Sequence, residues 1–248
     1  MSAVQPACAQ TSLTLAAEDD AAPWSYADGS GYVNDLVRQA FAVMGWDVQL
    51  KVMPYARCKA LTVRGLLPGC FSASQVPALA DRLVYPQHPV FEARNLLIAR
   101  EGSPWSGCHS KHWPRPPRGG TVRAYEYTPS IEQLFKQRAL IRDESDSEIT
   151  NLRKLAAGRV DATVVTVDEV KRIDLLQALA QTQLRLKTVC DYGVQAAYVA
   201  FSRQHPQGLA AQQAFDEGFT RLQQNGTLAR LKAAWRSRAL ERASAKKH

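Results

Sequence analysis

Five cysteines and five histidines are the residues of this 248-residue chain best suited to covalent or metal chemistry. No Cys-x-x-Cys is present, so neither a zinc ribbon nor a thioredoxin-type redox pair is indicated. Cys108-His109-Ser110-Lys111-His112 holds metal-ligating residue types, but no second cluster of fitting spacing completes a set of four ligands. No histidine relates to a serine or cysteine nucleophile motif, Gly-x-Ser-x-Gly does not occur, and glycine-rich phosphate loops are absent. The residues therefore imply no metal, no cofactor and no catalytic constellation. What remains for the cysteines is bridging. Cys58 lies in a helix that ends near Arg64, and Cys70 in a strand that begins near Gly69 and runs back against it. A Cys58–Cys70 disulfide is expected, with Cys108–Cys190 as a second. Two bridges suit an oxidising compartment and leave Cys8 spare. Cys8 sits in Pro6-Ala7-Cys8-Ala9, a small-x-small pattern like the end of an export signal. Residues 1–10 are accordingly read as disordered or as the remnant of such a signal.

The elements that carry these residues repeat. Leu61 to Phe71 contains a helix end, Gly65, three residues, the small Gly69 and an apolar strand. Leu155 to Val164 repeats it with Gly158 and Ala162 at the same spacing. A glycine just past a helix takes the left-handed conformation that closes it. A small residue four places on lets the next strand pack closely. Two such phrases imply two α/β lobes and a cleft for a small ligand. Strands are expected at Leu13–Ala17, Trp46–Val52, Phe71–Ser74, Thr121–Tyr125 and Ala162–Val167. Helices are expected at about Tyr32–Met44, Pro54–Arg64, Ser130–Gln137, Ile149–Ala157 and Val170–Leu179, with two more at the carboxyl end. The apolar runs Leu96–Ala99 and Ala196–Phe201 read as two crossings between lobes, side by side as a hinge. Residues 11–100 with 196–238 then form the first lobe and 101–195 the second.

Charge and hydropathy narrow the class. Hydrophobic residues make up 46% and charged residues 22% of the chain, which is a globular balance. No apolar run approaches the roughly 18 residues that span a bilayer. The net charge is +8, but the basic residues crowd the last twenty positions, so residues 239–248 read as a basic tail. That distribution argues against a nucleic-acid groove.

In this order and spacing the pieces resemble the family-3 extracellular solute-binding proteins of the polar-amino-acid type. They are Pro23-Trp24 after the opening strand, Gly31 to Leu36, the Gly65 phrase, Asp81 to Pro86, Gly119 to Val122, Gly158 to Ala162, Tyr198 to Ser202 and Asn225 to Thr227. The resemblance implies a type II periplasmic-binding-protein fold, two α/β lobes on a two-strand hinge with a central cleft. It also implies a monomer in the periplasm that hands a small polar solute to a membrane transporter or reports it to a sensor.

It further implies two handles for an amino acid or related carboxylate. An arginine after the serine-bearing strand takes the carboxylate. Ser72 and Ser74 lead to Arg82, at a longer gap than usual, and Arg57 is its rival. The acid that usually takes the ammonium falls on the neutral Thr166, with Asp168 two residues on. Glu18 matches the acidic position of the first strand, and Trp24 stands near the stacking position. In the second lobe Tyr125, Tyr127, Thr128 and Ser130 occupy a strand-to-helix turn whose amides and hydroxyls suit an anion. For Thr128 and Ser130 helix capping is the equal alternative. The leading expectation is binding without catalysis. The same fold also hosts cyclohexadienyl dehydratases, in which case Glu18 or Glu126 would serve as general acid.

Overall fold

A computed structural model describes residues 11–245. The amino-terminal segment, with Cys8 and the expected signal remnant, lies outside the described residues. Among the described residues eleven strands run in chain order: β1 (Thr11–Glu18), β2 (Asp20–Ala21), β3 (Ser25–Tyr26), β4 (Trp46–Met53), β5 (Gly69–Ala73), β6 (Leu83–Val84), β7 (Phe91–Arg100), β8 (Arg118–Val122), β9 (Ile141–Ser145), β10 (Ala162–Val167) and β11 (Leu186–Ser202). Seven α-helices lie among them: α1 (Tyr32–Ala42), α2 (Tyr55–Val63), α3 (Pro129–Lys136), α4 (Glu148–Ala156), α5 (Ile173–Ala180), α6 (Gly208–Gln224) and α7 (Thr227–Ala245).

One continuous sheet links the two halves in the order β4-β1-β5-β11-β7-β10-β8-β9, with β6 alongside β11. β1 is parallel to β4 and β5, and β8 is parallel to β9 and β10. The long strands β7 and β11 pair antiparallel at the centre and belong to both lobes. Helices α1 and α6 pack on one another in the first lobe, and α4 packs on α5 in the second. The Gly65 and Gly158 repeat is a structural one. Both glycines have a φ of +71°, and Gly69 and Ala162 open β5 and β10. At Gly69 a Cβ would come within 2.9 Å of the Leu15 side chain and 3.1 Å of the Ala200 carbonyl, so any larger residue there would have to displace its neighbours.

The two crossing strands pair as expected, but their apolar runs do not. Phe91 stands opposite Ala197 and Arg100 opposite Leu186. Leu96–Ala99 is flanked by β10 on its other side, whereas Tyr198–Phe201 pairs with β5. Each run is apolar because it is enclosed within one lobe. The crossing itself falls near Phe91–Arg94 and Val194–Ala197.

The carboxyl end also differs from a solvated tail. α7 continues to Ala245 with Ala239 and Ala243 buried. Trp235 donates to Asp35 at 2.9 Å, and Arg242 pairs with Asp28 at 2.7 Å over the Tyr26 ring. Two disulfides join Cys58 to Cys70 and Cys108 to Cys190, with Cα separations of 5.7 and 4.9 Å. No described helix is long and apolar enough to cross a membrane.

Candidate functional site

The carboxyl ends of β1 and β5 face the turns after β8 and β10, where open α/β sheets place their sites. β1 delivers Glu18, which is 2% exposed. Because Ala16 pairs with Cys70, Glu18 stands level with Ser72 on the neighbouring strand. Ser72 has a φ of +71°, a conformation that costs a non-glycine residue about 1 kcal/mol. Its hydroxyl is buried with no hydrogen-bond partner. Ser74 lies at the same end of β5 and accepts a bond from Gln195 at 2.6 Å.

The second lobe answers with a set of polar side chains. Tyr125 donates its hydroxyl to Glu18 across the cleft at 2.5 Å. Tyr55 donates to Glu126 at 2.8 Å, and Lys59 pairs with the same carboxylate. Trp24 donates its indole N–H to Asp168 at 3.0 Å and stacks on Phe91 at 3.7 Å. Thr166 places both its amide and its hydroxyl on Glu148, at 2.8 and 2.7 Å. Lys171 completes the group: its ammonium lies 2.5 Å from Glu148, 3.2 Å from the Thr166 hydroxyl and 4.0 Å from the Trp24 ring centre, at 1% exposure. The contacts of Tyr125 with Glu18, of Tyr55 and Lys59 with Glu126, and of Trp24 with Asp168 and Lys171 join the two lobes across the cleft, while those of Glu148 with Thr166 and Lys171 stay within the second lobe.

Burial sets the charge of Glu18. Loss of solvent raises its carboxyl to about 8; the Tyr125 hydrogen bond and the Lys171 ammonium pull in the opposite direction with less effect. Burial likewise holds the Tyr55 and Tyr125 phenols well above their ordinary range.

Of the expected residues, the structure brings Glu18, Trp24, Ser72, Ser74, Tyr125 and Thr166 to one place. It does not bring the arginines. Arg82 is exposed and pairs at 3.2 Å with its neighbour Asp81, because β5 ends at Ala73 and a 3₁₀ turn at Pro77–Leu79 leads the chain outward. Arg57 is exposed on α2. Tyr127 accepts the Val122 amide at 2.8 Å within the second lobe's core. Thr128 is the N-cap residue of α3 without a side-chain cap bond, and its hydroxyl is buried and unpartnered. Ser130 lies on the outside, beside the Cys108–His112 loop. Sequence reasoning missed Lys171, Glu148, Tyr55, Asn95 and Gln195. The one usable signal was Ser147, whose side chain caps α4 by accepting the Thr150 amide and so fixes Glu148 in the first turn. Among the described residues no group of three or more His, Cys, Asp or Glu side chains could hold a metal.

No protein-family profile matches the sequence, and no curated protein matches it. Solved structures do. A histidine kinase sensor domain with similarity to periplasmic binding proteins superposes with a TM-score of 0.76 at 19% identity, over 91% of this chain and 96% of that one. The fold is that of the periplasmic binding proteins. An ancestral arginine-binding protein bound to arginine shares it with a TM-score of 0.74 at 16% identity, over 90% and 97% of the two chains. The GluR0 ligand-binding core from Nostoc punctiforme, in complex with L-glutamate, matches with a TM-score of 0.72 at 14% identity, over 90% and 98%. In this chain the fold's two lobes meet through Glu18, Trp24 and Tyr55 on one side and Tyr125, Glu126 and Asp168 on the other.

Proposed function

We propose that the chain is an extracytoplasmic solute-binding protein that captures a small polar solute by lobe closure and delivers it to an ABC transporter. The observation that carries this reading is the cleft itself. Side chains of both lobes converge there, and buried polar atoms of Ser72, Asn95 and Gln195 face it without partners. Such atoms cost free energy unless something supplies a bond. The two disulfides fit an oxidising, extracytoplasmic compartment. Neighbours of the same fold include a protein described as the substrate-binding protein of an amino acid ABC transporter. A sensory role for the same cleft is the second reading, favoured by the likeness to a histidine kinase sensor domain.

The experiment is a thermal-shift screen of amino acids, amines and small carboxylates, followed by X-ray scattering with the best hit. A solute at a hundred times its dissociation constant should add about 2.7 kcal/mol of stability. It should also leave the protein as compact as, or more compact than, it is alone. Recovery of the solute unchanged after prolonged incubation separates binding from an elimination assisted by Glu18. A chain that no small solute stabilises would contradict the reading.

A further inference from the structure

We propose that the solute is a small organic cation, a primary amine that carries no carboxylate, with its ammonium against Glu18 and its carbon skeleton against Trp24 and Phe91. This inference rests on the solute-binding reading and names the chemical class that the cleft takes.

The walls carry the argument. A carboxylate ligand is held most strongly by a cation, and among the described residues no arginine lines the cleft. The two lysines that reach it are already engaged, Lys171 with Glu148 and Lys59 with Glu126. Among the described residues around the cleft no cation is left over. What is left over is the Ser72 hydroxyl, which can donate or accept, and a larger group of pure acceptors. Glu18 is bonded through one carboxylate oxygen to Tyr125, and its other oxygen is buried without a partner. Asn95, 1% exposed, lines the cleft and has a side-chain oxygen in the same condition. A ligand rich in N–H donors satisfies these atoms, whereas a carboxylate adds more acceptors.

The chain also displays the preference with its own groups. The ammonium of Lys171 is already held here, between the Trp24 ring and the Glu148 carboxylate, at nearly complete burial. Aromatic faces and carboxylates are the partners an ammonium seeks when it leaves water. The Tyr125 hydroxyl, the sole donor to the Glu18 carboxylate among the described residues, stands where a ligand N–H would donate once the lobes reopen.

Binding of a cation should then draw a proton from Glu18. The groups facing it are Asp19 beside it, Tyr55 of α2, Tyr125 after β8, Glu148 of α4 and Lys171 after β10. Burial outweighs the opposing pulls of Tyr125 and Lys171 and leaves the carboxyl mostly protonated at pH 7, with a midpoint of about 8. An ammonium favours the ionised form and stays charged itself up to about pH 10.

The test is isothermal titration of the whole chain with phenethylamine, n-butylamine and 1,4-diaminobutane, and with L-glutamate, L-arginine and succinate beside them. At least one amine should bind, with roughly tenfold higher affinity at pH 9 than at pH 7. In two buffers of different ionisation enthalpy, close to one proton should be released per amine at pH 7. Glu18→Gln should remove both the proton release and the pH dependence. The pH dependence of the unaltered chain stands as evidence should that variant fail to fold. Tighter binding of an amino acid or of succinate than of any amine overturns this inference and leaves the solute-binding reading intact. Amine binding without proton release overturns the assignment to Glu18. Binding of none of the six, nor of any other solute in the wider screen, removes the solute-binding reading itself.

Discussion

Two glutamates are buried at the cleft, and they are handled in opposite ways. Glu148, 4% exposed, has a cation at 2.5 Å and two donors from Thr166. Glu18, 2% exposed, has one phenol and a bare oxygen. Burial is the same; the partners differ. Neither second oxygen carries a hydrogen bond of its own, but that of Glu148 has the Lys171 ammonium beside it, which marks a structural acid, whereas that of Glu18 has no ion pair among the described residues and is available to a ligand. The arrangement thus separates a structural acid from a binding acid within one cluster.

The comparison is broken most strongly at Lys171. Lys171→Met leaves Glu148 buried without its cation and should cost about 3–5 kcal/mol in chemical denaturation. Adding Glu148→Gln to that variant should recover part of the loss, because the stranded charge is removed with its partner.

Next in size is Glu18→Gln, which should act in the other direction. The folded protein holds the Glu18 proton up to about pH 8, while an unfolded chain releases it near 4.5. The parent therefore loses stability as pH rises from 4.5 to about 8, and the glutamine variant does not share that loss. At pH 9 Glu18→Gln should be the more stable by on the order of 4 kcal/mol, read from paired denaturation curves at pH 5 and pH 9. Equal curves at both values would mean that Glu18 is not held neutral.

Thr166→Val sharpens the other side of the comparison. It removes the hydroxyl that lies between Glu148 and Lys171 and should cost about 1–2 kcal/mol, with little change between pH 5 and pH 9. The smallest effect belongs to the exposed arginine. Arg82→Ala should alter stability by less than about 0.5 kcal/mol and leave the affinity for any cleft ligand unchanged by titration. A large loss of affinity there would restore the carboxylate handle expected from the sequence.

Much of the fold was legible in the sequence because local chemistry dictates it. Gly65 and Gly158 close helices at the same φ, and β10 spans the residues expected of it, Ala162–Val167. β9 escaped notice because Ile141–Ser145 is an edge strand that, among the described residues, pairs only with β8. Its sequence, Ile-Arg-Asp-Glu-Ser, carries no apolar alternation. The site was legible in part. Glu18 and Ser72 stand at strand ends that the pattern locates, and Tyr125 stands in the turn that follows β8, which ends at Val122 rather than at the expected Tyr125. Lys171 could not be read: in Glu169-Val170-Lys171-Arg172 it resembles any surface lysine. Its burial comes from Trp24, which reaches the adjacent Asp168 across a separation of 144 residues. Arg82 misled for the converse reason, since a residue type suited to a ligand says nothing about the turn that carries it to the surface.

The measurement that bears most directly on this account is a carbon-13 NMR titration of the glutamate side-chain carboxyls, with Glu18 assigned by its absence in Glu18→Gln. The account predicts a Glu18 midpoint near pH 8 in the ligand-free protein, moved well below 7 by a saturating amine. A Glu18 midpoint near 4.5, unchanged by any ligand, would contradict it.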